Sequence, residues 1–157
     1  MKIQAIGKVA QQDGKTTLVL DEGMRAGLTG LGEFSHVMVL YWFDQLDIPE
    51  LREERVMQKP YVNGPETLGI FATRGPVRPN PIAVSVAGIT AFDQENGIIE
   101  LDYLDAEAGS PLLDIKPYTP SSEIIKDYRS PDWCAHWPQS YEESGEFDWS
   151  QEFNFEE

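Results

Sequence analysis

Short stretches of alternating apolar and polar residues and one continuous apolar run predict strands rather than helices. Ile3, Ala5 and Val9 alternate with polar neighbours. The turn signal Gln12-Asp13-Gly14-Lys15 follows, with Thr16 to Leu20 after it, and together they predict a first hairpin. Val37-Met38-Val39-Leu40-Tyr41-Trp42-Phe43 is apolar at every position, as in a strand covered on both faces. Either a second subunit or the chain's own loops would cover its outer face. Arg55 to Tyr61 and Thr67 to Ala72 predict two strands flanking Asn63-Gly64-Pro65. Ile82 to Phe92, the turn Asp93-Gln94-Glu95-Asn96-Gly97 and Ile98 to Leu104 predict a second hairpin. Ile99, Leu101 and Tyr103 fall on one of its faces, Glu100 and Asp102 on the other.

Helical periodicity is scarce. Asp21 to Leu31 carries enough glycine to allow only a short helix or turn, and Asp47 to Arg55 reads either as one helical turn capped by Asp47 or as a solvated loop. Beyond Tyr118 the pattern fades. Trp133 and Trp137 are expected to pack on the body, whereas Tyr141 to Glu157 is acidic and expected to be extended.

At 157 residues with 11 Pro and 13 Gly, the chain reads as one mainly β domain over residues 1–130, followed by an acidic, aromatic C-terminal tail over 131–157. The 27 acids outnumber the 12 Lys and Arg, for a net charge of −15, which disfavours phosphate-rich partners unless the bases cluster. Arg52, Arg55 and Lys59 form one basic group, Lys126 and Arg129 another. A lone cysteine, Cys134, rules out an internal disulfide and by itself makes no metal site; no metal is expected. No apolar run is long enough to span a bilayer, and the N-terminus lacks a signal peptide's apolar region, so a reduced, cytoplasmic setting without membrane association is expected.

Phe71-Ala72-Thr73-Arg74-Gly75-Pro76-Val77-Arg78-Pro79-Asn80-Pro81-Ile82 stands apart from the strand pattern. Its prolines cannot continue a helix or central strand, and each restricts the residue before it, so the segment is a stiff loop presenting Arg74, Arg78 and Asn80. Such a loop loses little entropy on binding a ligand. The plainer alternative is a turn whose two arginines merely pair with neighbouring acids. A second dense stretch, Gly109-Ser110-Pro111-Leu112-Leu113-Asp114-Ile115-Lys116-Pro117-Tyr118, sets an Asp, a Lys and a Tyr among apolar anchors. His36 and His136 are the only histidines, so a histidine-rich metal site is excluded; His36 reads best as a structural hydrogen-bonding group at a strand start.

These two stretches, with Gly69-Ile70 before the first, Ser85 after it, Phe34-Ser35-His36 ahead of the apolar strand and Ile6-Gly7 near the start, resemble the signature of the TsaA-like family over roughly residues 1–130. The resemblance implies a small β-barrel that usually dimerises and binds S-adenosylmethionine in a cleft. Its best-known members methylate N6 of threonylcarbamoyl-modified adenosine beside the tRNA anticodon. It implies cofactor contacts from Arg74, from Asp44-Gln45 at the place of a common His-Gln pair, and from the turn Gly109-Ser110-Pro111. Arg74 suits the cofactor's carboxylate, and Asp44 or Asp114 its ammonium. Asp114 and Tyr118 are candidates for accepting the proton of the attacking nitrogen; Arg78, Asn80 and Lys116 are candidate substrate contacts. The chain departs from the longer members in lacking an N-terminal loop with a Pro-Arg-Gln motif, in carrying Ala108 where an Asp is usual, and in having no C-terminal domain of their kind. A small-molecule methyltransferase and a non-catalytic S-adenosylmethionine or nucleoside-binding module are the alternative functions.

Overall fold

The computed structural model describes residues 2–12 and 14–154. Its centre is a closed six-stranded barrel of β1 (Gly7–Gln12), β2 (Lys15–Leu20), β3 (His36–Trp42), β6 (Ile82–Asp93), β7 (Ile98–Leu101) and β8 (Pro111–Pro117). The spatial order is β1-β2-β7-β6-β3-β8, and every pairing is antiparallel. Two short strands, β4 (Val56–Gln58) and β5 (Thr67–Gly69), form a separate hairpin. Helix is confined to α1 (Pro49–Glu53), α2 (Pro120–Glu123), α3 (Tyr141–Glu146) and short 3₁₀ turns. The mainly β expectation holds.

Period-two alternation is what closes the barrel around a core. Val37, Val39 and Tyr41 of β3 point inward, opposite Ala87 and Ala83 of β6, and meet Val9, Leu18, Leu20, Ile99, Leu101 and Leu112 from the other strands. Burying each of the larger aliphatic side chains contributes about 1.5–3 kcal/mol relative to exposure. Gly7 lies at the seam, where β1 pairs with both β2 and β8. A Cβ on Gly7 would stand 2.2 Å from the Val19 carbonyl oxygen, so only glycine lets the strands close there.

Both predicted hairpins are present, β1–β2 and β6–β7, although Asp13 of the first turn lies outside the described residues. The apolar Val37–Phe43 stretch supplies strand β3 as far as Trp42, paired on both edges. Its outward Met38, Leu40 and Trp42 are half-buried. Asp21 to Leu31 supplies only 3₁₀ turns.

Three expectations are corrected. Asp47 does not cap a helix: Pro49 takes the first helical position and Ile48 is the N-cap, so the Asp47 carboxylate turns instead to Arg52 and the Trp42 indole. Tyr103 lies beyond β7 and is 65% exposed, because the Asp102 carboxylate takes the backbone N–H of Gly88 and of Tyr103 and ends the ladder. The C-terminal segment is irregular but not extended. Its described residues fold back as a 3₁₀ turn (Asp132–Cys134), α3 and a second 3₁₀ turn (Trp149–Gln151), and they pack against the β4–β5 connection.

Candidate functional site

Strand β3 runs antiparallel to both β6 and β8, so the C-terminal end of β3 and the N-terminal ends of β6 and β8 meet at one end of the barrel. Trp42 lies opposite Ile82, and Tyr41 opposite Leu112. Three loops leave from this end, spanning residues 43–55, 71–81 and 102–110. Asp44 and Gln45 lie exposed in a 3₁₀ turn (Asp44–Leu46) on the first. This loop is joined to the second by the Phe43 N–H bond to the Pro81 carbonyl at 2.9 Å.

The proline-rich loop is stapled, but not to acids. Arg78 donates to the carbonyls of Gly75 at 2.8 Å and Thr73 at 2.7 Å, and the Thr73 hydroxyl donates to the Ile70 carbonyl at 2.8 Å. Arg78 thus spends its guanidinium on holding the loop's own backbone. Arg74 stays exposed, and one of its guanidinium nitrogens donates to the Val84 carbonyl at 3.0 Å. Neither arginine forms an ion pair among the described residues. Val84 lies in the part of β6 that β7 does not pair, so Arg74 caps an open strand edge and presents its remaining N–H groups outward. Asn80 is exposed beside it, its carbonyl accepting from Ile82 N–H at 2.7 Å.

Tyr41 links the third loop to this arrangement. Its ring is 2% exposed in the barrel, yet its hydroxyl reaches the barrel end, donates to the Asp105 carbonyl and lies 3.5 Å from Ser85 Oγ. Burial pushes the Tyr41 phenol above its ordinary value, Ser85 opposes that, Asp105 and Tyr103 reinforce it, and the Arg74 charge opposes it. Arg74, Asp105 and Tyr103 therefore bear on one hydroxyl. Farther along the same loop, Gly109 has φ +98°, where glycine is favoured. Its N–H donates to the Val9 carbonyl, and Ser110, 4% exposed, accepts from Val9 N–H, so the Gly109-Ser110-Pro111 turn is pinned to β1.

The structure thus gathers Asp44, Gln45, Arg74, Arg78, Asn80, Gly109 and Ser110 on loops of one barrel end, with Pro111 at the start of β8 beside them. Asp114 is opposite Leu40, which is opposite Val84, so the three form one outward row across β8, β3 and β6. Two strand spacings, about 10 Å, separate Asp114 from the strand that Arg74 caps. Lys116 pairs with Asp114 and lies opposite Met38. Tyr118 is carried farther: its N–H bonds the His36 carbonyl at the opposite end of β3, roughly 20 Å along the strand from Trp42. There His36 Nδ1 lies 2.9 Å from Ser35 Oγ, and Tyr141 donates to both Asp102 oxygens at 2.9 Å. Burial and the Asp102 carboxylate push the Tyr141 phenol up to about 12.

Sequence reasoning missed Tyr41 and Asp105 as the residues that tie the third loop to this barrel end. An inward tyrosine among valines was the available signal, since a buried phenol needs a partner.

Asp47 ties the first loop down. Its carboxylate accepts from Arg52 and from the Trp42 indole, at 2.8 Å for Arg52 Nη2 and 2.8 Å for Trp42 Nε1, and Arg52 also lies over the Trp42 ring. The Arg52 guanidinium, with the indole's help, lowers the Asp47 carboxyl from 3.8 to about 2. A lowered carboxyl stabilises the fold above its unfolded value, and that contribution is lost as pH falls through the folded one. Wild type should therefore loosen over this window, and Asp47→Asn should remove that part of the acid dependence, read as tryptophan fluorescence against pH.

The residues 4–124 match the profile of the family described as tRNA-methyltransferase O N-terminal domain. A probable S-adenosyl-L-methionine-binding protein of Pyrococcus horikoshii is 38% identical over 128 residues, covering 80% of this chain and 88% of that one. A tRNA (adenine(37)-N6)-methyltransferase of Escherichia coli is 32% identical over 123 residues, covering 77% of this chain and 52% of the enzyme. A crystal structure of TrmO superposes with a TM-score of 0.65 at 28% identity, over 83% of this chain and 62% of that chain. The chain thus spans about half to three fifths of the longer relatives it matches. Among the described residues no helix is long and apolar enough to cross a membrane, and no group of His, Cys, Asp and Glu is arranged to hold a metal.

Proposed function

Because the chain belongs to the tRNA-methyltransferase O N-terminal domain family, we propose that it binds S-adenosylmethionine at the barrel end built by its three loops and methylates N6 of threonylcarbamoyl-modified adenosine beside the tRNA anticodon, in the cytoplasm. The observation that carries this reading is that one barrel end brings together the proline-rich loop, whose exposed Arg74 bonds the Val84 carbonyl, and the 102–110 loop, which the Tyr41 hydroxyl holds through the Asp105 carbonyl. The donor set suits the cofactor: an exposed guanidinium for a carboxylate, exposed acids for an ammonium, and a pinned turn of backbone carbonyls. Arg74 would hold the carboxylate, Asp44 with Gln45 the ammonium end, and Gly109-Ser110-Pro111 would line the pocket. When bound, the cofactor supplies an activated methyl group on a sulfonium sulfur, whose transfer depends mostly on positioning; loops locked by proline and by Arg78 suit that task.

Arg78 serves this reading by holding the loop, while Asn80 and Lys116 face the acceptor. Asp114, oriented by Lys116, is the candidate proton acceptor for the attacking nitrogen. Tyr118 of the same chain lies too far from Arg74 to share that role and would contribute only from a second copy. A homodimer fits the outer face of the barrel, where Met38, Leu40, Trp42, Ile82, Val84 and Val86 point away from the core as one apolar surface beside Asp114.

A small-molecule acceptor is the second reading. It is favoured by the net charge of −15 and by the fate of one basic group: Arg52 is paired with Asp47, Arg55 bonds the carbonyls of Arg52 and Glu54, and Lys59 pairs with Glu66. Labelled methyl transfer decides between them. The first reading expects label in tRNA carrying the threonylcarbamoyl group, none in tRNA without it, and a dimer by sedimentation. Label only in small molecules favours the second, and no saturable cofactor binding overturns both.

A further inference from the structure

Tyr61, between β4 and β5, is 7% exposed and buried by the far C-terminus. Its ring stacks on Trp133 at 5.0 Å, meets Trp137 edge-on at 5.3 Å and tilts against Phe153 at 5.5 Å. The backbone is bridged at the same place: Val62 N–H donates to the Glu152 carbonyl at 2.9 Å and Asn154 N–H to the Pro60 carbonyl at 3.1 Å. The Asn154 side chain donates to the Lys59 carbonyl at 2.7 Å. Lys59 has φ +40°, the one left-handed non-glycine among the described residues, so the bond falls on a strained corner of the hairpin.

The C-terminal segment is itself held shut by Glu152. This carboxylate, 6% exposed, accepts from His136 Nε2 at 2.7 Å and Trp137 Nε1 at 2.9 Å, which joins the two halves of the segment. On the other side of Tyr61, burial pushes the phenol above its ordinary value, and the Arg74 backbone N–H, with the Arg74 and Arg78 charges, opposes that shift. The chain between them is short and tied: Ile70 N–H bonds the Arg55 carbonyl, and Thr73 packs against Met57. Residues 131–154 lie beyond the residues 4–124 that the family profile matches.

We propose that residues 131–154 are an intramolecular clamp that fixes the β4–β5 hairpin and, through Tyr61, the position of Arg74, which makes Tyr61, Trp133 and Trp137 positioning residues of the methyl-donor site. The proposal rests on the reading of Arg74 as the arm that holds the cofactor. It explains why a short chain carries so many C-terminal aromatics at a place with no barrel core to fill. The clamp stiffens the loop's entry from the hairpin side while Arg78 stiffens its exit.

The test uses the full chain with Trp133→Ala, Trp133→Phe and Tyr61→Phe, and reads two quantities: hydrogen exchange of residues 70–76 and calorimetric affinity for S-adenosylmethionine. Trp133→Ala should keep the protection of β3 and β6, speed exchange over 70–76 about tenfold and weaken the cofactor about tenfold. Trp133→Phe should recover most of both. Tyr61→Phe, which keeps the ring and removes only the hydroxyl, should leave the clamp closed and change the affinity by less than about threefold. Should Trp133→Ala fail to fold, Tyr61→Leu, which removes the ring that Trp133, Trp137 and Phe153 cover, decides the question by the same two readouts. Unchanged exchange over 70–76 with unchanged affinity in the folded variants overturns the clamp and leaves the functional reading intact. A wild-type chain that ignores the cofactor ends the functional reading, while the exchange data still decide whether the C-terminal segment holds the loop.

Discussion

Replacing Tyr41 by alanine should lower the stability of the chain by about 3–5 kcal/mol, the usual cost of removing a large aromatic from a packed interior. Tyr41 is among the largest fully buried side chains, packed edge-on against Phe43 at 5.6 Å with Val39 and Leu112 nearby in the barrel wall. For a domain of this size the loss corresponds to a fall of about 6–20 °C in Tm, read by thermal or urea unfolding. The barrel has few strands and one continuous core, so no neighbouring layer can move in to fill the space. A Tyr41→Ala chain with wild-type Tm would mean that the ring is not a core element.

Tyr41→Phe separates the two jobs of the residue. It keeps the ring and removes the hydroxyl that bonds the Asp105 carbonyl, so the cost should fall to about 1–3 kcal/mol, set by the polar group left without its partner. The effect on ligand binding should be larger than that figure suggests, because the same hydroxyl fastens the 102–110 loop to the barrel end where Arg74 sits. Equal losses of stability for the Ala and Phe variants would place the value of Tyr41 in its hydroxyl alone.

How much of this could be read in advance depended on the range of the interactions. The unbroken apolar run of residues 37–43 and the hairpin pattern of residues 82–104, with Glu100 between Ile99 and Leu101, identified β3, β6 and β7, because such patterns are local. The proline-rich loop was legible for the same reason: proline restricts its own φ and its neighbour's ψ whatever surrounds it. The partner of Arg78 was not legible. Acids abound, but the guanidinium takes backbone carbonyls from its own loop, which become acceptors only once that loop has folded. Asp47 misled because its sequence position suits a cap, while Trp42 and Arg52 converge on it only through the turn after β3. The C-terminal segment is the clearest case. Its acidity and weak periodicity suggest an extended chain, yet Trp133, Trp137, Trp149 and Phe153 form one cluster closed by Tyr61, and a cluster built across such sequence separation leaves no periodic trace.

Arg74→Ala should weaken S-adenosylmethionine binding by about 10- to 150-fold while leaving Tm close to wild type. The expected loss is that of a hydrogen-bonded charge, about 1.5–3 kcal/mol, and a tenfold change in affinity corresponds to about 1.4 kcal/mol. The stability cost should be small, since Arg74 is exposed and its guanidinium donates to the Val84 carbonyl, a bond that water can replace at an open strand edge. The loop should keep its shape because Arg78, Thr73 and the prolines set it independently. A cofactor fragment sharpens the assignment. Methylthioadenosine keeps the nucleoside and the sulfur but has no carboxylate, so its affinity should be nearly the same for wild type and Arg74→Ala. Arg74→Lys should fall between the two on the full cofactor, because an ammonium keeps the charge and loses the two-pronged geometry. Equal weakening of the fragment and the full cofactor would show that Arg74 shapes the pocket without meeting the carboxylate, and the role assigned to the proline-rich loop would then pass to its backbone.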